Sequence, residues 1–143
     1  MKSTKVTSCI ICDIARKESG GKDILIGVYS NYMKINPLPA VLPNFAVWME
    51  LQTEETKFDS LEISILDPDN KTLINAKGKL EITSETSYVG IPMQFSNMPF
   101  PKAGKYKIQI GIDGPMKTVK EFFVLGNVKS EAKKRAKKIT AKK

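Results

Sequence analysis

Two thiols stand three residues apart in the stretch SCIICDI, at Cys9 and Cys12. That spacing suits a dithiol redox couple or half of a zinc site. The redox version opens a helix within a βαβ pattern, and no such pattern follows here. In an extended segment, residues three apart point to opposite faces, with Cα atoms about 10 Å apart. A disulfide needs about 4.4–6.8 Å. A zinc site needs two more thiolate or imidazole ligands, and the sequence holds two cysteines and no histidine. Both residues therefore read as strand cysteines. Cys12, in register with Val6 and Ile10, is expected to pack inward.

The remaining chemistry is thin. Without histidine there is no Ser-His or Cys-His arrangement. The stretch DPDN, beginning at Asp67, invites a calcium loop, but the required positions carry Lys71, Thr72 and Gly78 instead of an oxygen ligand, glycine and glutamate. It reads as a turn. Gly20, Gly21 and Lys22 lack the order of a phosphate loop. The aspartates (Asp13, Asp23, Asp59, Asp67, Asp69, Asp113) fall at strand ends and turns, and no spacing marks a carboxylate pair. The sequence nominates no catalytic, cofactor-binding or metal-binding residue. It reads as a non-enzyme without cofactor.

The elements that would position any site have period two. Phe45, Val47, Met49 and Leu51 share one face, with Ala46, Trp48, Glu50 and Gln52 on the other. Leu61, Ile63 and Ile65 alternate with Ser60, Glu62 and Ser64. Tyr106, Ile108, Ile110 and Ile112 alternate with Lys105, Lys107, Gln109 and Gly111. Such strands are apolar on one side and wet on the other. DILIGVY (23–29) is apolar on both faces and predicts a central strand or one under a second layer. Pro92 in IPMQF (91–95) predicts an edge. The three prolines of 36–44 exclude helix and central strand there. The turns ESGGKD and DPDNKT, and the breaks FPKAG and DGP, separate the runs. Seven to nine strands at about ten-residue spacing predict one all-β domain over residues 1–126, a single antiparallel, immunoglobulin-like β-sandwich. SCIICDI and DILIGVY form its opening hairpin. Tyr106, opening a late strand, is either a tyrosine corner bonded to upstream backbone or simply a core ring; both readings stand.

The segments IICD, DILIGVY, LDPDNKTL and PFPKAGKYKIQIGIDG together resemble a family of small bacterial proteins of unknown function. The resemblance covers residues 10 to about 125. It implies a β-sandwich and no activity. Asn70 stands where that family's turn has glycine, and the basic C-terminal segment is outside the pattern.

The formal net charge is +8, and residues 129–143 hold eight basic residues against one acid. The basic balance therefore belongs to the tail (127–143), and the body is close to neutral. The tail reads as disordered when free and partly helical when bound. Its candidate polyanion-binding residues are Lys133, Lys134, Arg135, Lys137, Lys138, Lys142 and Lys143, acting by counterion release without base specificity. A solvated, solubilising tail is the competing reading. Only Ile139 offers apolar bulk, so no membrane partner is expected. In the body, Trp48 is either a protein-contact anchor or a residue packed under segment 36–43. The chain reads as a cytoplasmic binding or assembly module, bacterial or phage in origin, with an unidentified protein partner and self-association open. The alternative is a nonspecific nucleic-acid-associated protein that binds through the tail.

Overall fold

A computed structural model describes residues 4–55, 57–82 and 87–128, and the basic segment 129–143 lies outside them. The described residues form nine strands and no helix. One sheet has the order β2 (Asp23–Val28), β1 (Thr4–Lys17), β4 (Ala40–Thr53), β7 (Tyr88–Phe100). The second has the order β3 (Tyr32–Lys34), β9 (Lys117–Leu125), β8 (Gly104–Ile112), β5 (Lys57–Leu66), β6 (Thr72–Glu81). The architecture is an all-β sandwich.

Alternation explains the packing. Phe45, Val47, Met49 and Leu51 of β4 are fully buried against Tyr106 and Ile108 of β8 and Phe122 and Val124 of β9. An aromatic chain joins the two sheets. Phe45 meets Phe100 edge-on at 5.6 Å, Phe100 meets Tyr106 at 5.5 Å, and Tyr106 stacks on Phe122 at 5.5 Å. These are favoured aromatic geometries, each contributing about 0.5–1.5 kcal/mol beyond area burial. The Tyr106 hydroxyl donates to the Lys102 carbonyl at 2.6 Å. Both readings of Tyr106 hold at once: the ring is core and its hydroxyl ties down upstream backbone.

The DPDN turn closes without a ligand. The Asp67 carboxylate accepts the amides of Asp69 (2.8 Å) and Lys71 (2.9 Å). Asn70 sits at φ 63°, in the left-handed region that asparagine tolerates better than most residues. Asn70 thus meets a backbone demand for which glycine is the usual residue. Pro92 lies on edge strand β7, as its missing amide requires. Residues 40–44 do enter β4, but there β4 pairs only with β7, because its pairing with β1 covers residues 46–53.

Three expectations need correction. Cys12 is fully buried as expected, but in a second cluster outside the inter-sheet core. The β1–β4 register shifts between Val6 and Ser8, and a shift of one residue reverses the faces. Cys9 and Ile11 consequently face the main core, while Cys12 lies in an outer cluster with Ala15 and Ala46. β2 is not central: it pairs only with β1 and forms a sheet edge. The sandwich is not wholly antiparallel, since β3 pairs with β9 in parallel. Three residues carry too little pattern to announce a strand. β3 forms because the chain after it runs alongside the end of β9. Ile35 N donates to Leu125 O (2.8 Å) and Leu38 N to Asn127 O (2.7 Å). Gly126 permits that approach, because a Cβ there would lie 1.8 Å from the Ile35 carbonyl oxygen.

Candidate functional site

The β1–β2 hairpin carries a set of polar contacts on one side and exposed apolar side chains on the other. β1 follows β4 as far as Cys12, opposite Ala46, and then leaves it. Beyond that point β1 crosses the outer side of β4 toward β7. Gln94 of β7 secures the crossing: its Oε1 accepts Ala15 N at 3.1 Å and its Nε2 donates to Asp13 O at 2.9 Å. Farther out, the Lys17 ammonium donates to Gly90 O at 2.8 Å and lies 3.3 Å from Asp23 Oδ1. Asp23 Oδ2 accepts the indole N–H of Trp48 at 2.8 Å. Gly90 makes room for this group, since a Cβ there would lie 2.3 Å from Asp23 Oδ2.

Trp48 is half-buried beside Cys12, Ala15, Ala46 and Leu25. Its polar end is committed to Asp23, and the cover over it is the hairpin rather than segment 36–43. Sequence reading found Trp48 but not Asp23, Lys17 or Gln94 beside it. The only signal was the aspartate at the start of an apolar run.

The hairpin's other side is open. Ile14 pairs with Ile26, and Arg16 with Ile24. Ile24, Ile26 and Val28 are 38%, 49% and 58% exposed. They sit at alternate positions along a strand whose far edge pairs with nothing among the described residues. The other edges are blunted. β7 carries Pro92 and Pro99. β3 has three residues. β6 carries exposed Lys77 and Lys79, and its pairing with β5 is twice irregular. Prolines, lysines, short length and bulges are the devices that protect an edge from pairing. β2 has no proline, lysine or register shift, and only Gly27, at φ 69° between Ile26 and Val28, interrupts its extended backbone.

Neither thiol is poised to react. Burial pushes the Cys9 thiol up to about 11, against the opposing pull of the Lys120 charge. Burial also raises Cys12, with the nearby Asp13 charge adding to it and a backbone hydrogen bond at Ile14 opposing it. A protonated thiol is neither nucleophile nor metal ligand. The Tyr29 hydroxyl donates to Asp13 Oδ1 at 2.5 Å, and burial together with that bond raises it to about 12. Among the described residues, no three of the His, Cys, Asp and Glu side chains are grouped to hold a metal. The tail residues Lys133, Lys134, Arg135, Lys137, Lys138, Lys142 and Lys143 lie outside the described residues.

A family model described as a family of unknown function (DUF6941) matches residues 7–125. No curated protein matches the chain. Among solved structures, the chain is similar to part of a β-glucosidase from Listeria innocua. In the complex with isofagomine the identity is 9% and the TM-score 0.45, over 90% of this chain and 16% of that one. In the complex with gluconolactone the TM-score is 0.44 at the same identity and coverage. This chain thus spans about one sixth of the length of those proteins, and nothing about activity follows from the likeness.

Proposed function

The chain belongs to DUF6941, a family of unknown function, and from its own surfaces we propose that it is a non-enzymatic binding or assembly module whose body contacts protein through the β2 edge. The observation that carries this reading is the exposed row of Ile24, Ile26 and Val28 on the one unprotected sheet edge among the described residues. A free edge offers backbone donors and acceptors to an added strand, and the alternating side chains offer apolar contact. In this reading the module is residues 1–126, works in the cytoplasm and takes no cofactor. Light scattering over rising concentration, together with partner pull-down, tests it on the wild type and Ile26→Lys. Self-association or partner retention that the lysine abolishes supports the edge. A monomer with no partner, or a complex indifferent to the substitution, overturns it.

A second reading rests on charge. With eight basic residues and one acid, segment 129–143 suits a polyanion such as nucleic acid. Neutralising four to six phosphates, about the number such a segment reaches, makes affinity fall steeply with salt. Deleting 129–143 is expected to abolish a salt-sensitive gel shift with DNA or RNA; an unchanged shift removes this reading.

A further inference from the structure

The outer face of the five-stranded sheet carries a second exposed apolar group, unrelated to the β2 edge. Met33, Phe122 and Val124 point into the core. Alternation therefore turns Tyr32 and Lys34 of β3, and Phe123 and Leu125 of β9, outward. Tyr32 pairs directly with Phe123, and Lys34 with Leu125. On the other flank Phe123 pairs with Lys105 of β8. Tyr32, Phe123 and Leu125 are 57%, 48% and 49% exposed. Two aromatic rings thus stand on neighbouring strands, about 5 Å apart along the sheet, with Lys105 at the β8 end of the row and Lys34 beside Leu125 in the next row.

Most of this face is ordinary wet sheet. Its ion pairs, Lys105–Glu121 (3.2 Å) and Lys77–Glu62 (3.9 Å), are solvent-exposed, and such pairs contribute little stability. Exposed aromatics are different, since burying them against a partner is favourable and nothing among the described residues covers them. The charge around them says what suits the place. Lys34 and Lys105 rim the row, Lys107 follows on β8, and Glu121 is the acid among them. β9 then leads within four residues into the segment of eight basic residues. A flat aromatic pair with cationic rims matches unpaired bases on a phosphate backbone. Duplex offers its phosphates but keeps its base faces stacked away.

We infer that the Tyr32–Phe123 row is a stacking platform for single-stranded nucleic acid, with Lys34 and Lys105 contacting phosphates. It deepens the second reading above by placing base contact on the body. Tail-only binding depends on phosphate charge alone, whereas the platform also requires bases.

The test uses the full chain, with fluorescence anisotropy at low salt against three probes of equal length: a thymidine oligomer, its abasic counterpart and a duplex. The thymidine oligomer is expected to bind about tenfold tighter than the abasic one, from one stacked base. Phe123→Ala and Tyr32→Ala should each erase that preference and leave abasic affinity unchanged. Phe123→Trp should keep it. Both positions are exposed, so the fold tolerates the changes. Equal affinity for thymidine and abasic probes overturns the platform and leaves the tail reading standing. No binding to any probe overturns both. A preference for duplex, or a base preference that survives both alanine variants, also overturns the platform.

Discussion

At the scale of single residues, the two cysteines show how one displaced position changes a side chain's surroundings. Their type and spacing argue against redox and zinc chemistry from sequence, and the structure places both in one strand with their side chains in different clusters. That Cys12 is the buried one was legible, but that Cys9 is the one facing the opposite sheet was not, because the register shift near Val6 leaves no mark in the hydrophobic pattern. The consequence for Cys9 is measurable. Its thiol titrates near 9.0 when unburied and near 11 in the fold. Below pH 9 it is protonated in both states, so its contribution to stability is whole. As pH rises from 9 through 11, the unfolded chain ionises first and that contribution is lost. Urea unfolding of the wild type should weaken over this window by roughly 1–2 kcal/mol more than that of Cys9→Ala. Tyr29, also raised, titrates in both proteins and cancels in the comparison. Parallel curves for the two proteins would contradict the assignment. Asn70 is the opposite case: sequence reading placed it where glycine is usual, and its φ of 63° meets that backbone demand.

At the scale of elements, β4, β5 and β8 were readable because each buries one face along a regular ladder, and period two is the direct trace of that. β2 was not. Its double-faced apolar pattern resembles a central strand, yet one side lies on the outer face of β4 and the other is bare. The decision was made by Gln94, about eighty residues away in sequence, and no local pattern carries such a contact. The closest point of this crossing is Gly90. Gly90→Ala should displace the Asp23 carboxylate, break its bond to the indole and loosen the hairpin, at a cost of about 1 kcal/mol. Trp48 is the sole tryptophan, so its emission reports the change alone. A red shift with easier quenching is expected, and an unaltered spectrum would contradict the proposed crossing contact.

At the scale of the whole molecule, the pairings divide the work between the two sheets. The four-stranded sheet presents the β2 edge, and the five-stranded sheet presents the aromatic row. The buried chain from Phe45 through Phe100 and Tyr106 to Phe122 joins them. Because every residue of this aromatic chain lies before residue 126, deleting residues 129–143 should leave the urea stability within about 0.5 kcal/mol of wild type. A larger loss would place the segment in the fold and move the proposed boundary at 126. The parallel pairing of β3 with β9 also acts in time. β3 is made early by the ribosome, and its partner about ninety residues later. The nascent chain must therefore hold the Tyr32–Leu38 stretch unpaired until β9 has emerged, so the second sheet closes only after that. Until then Met33 and Leu38, buried in the finished fold, are open to chaperones.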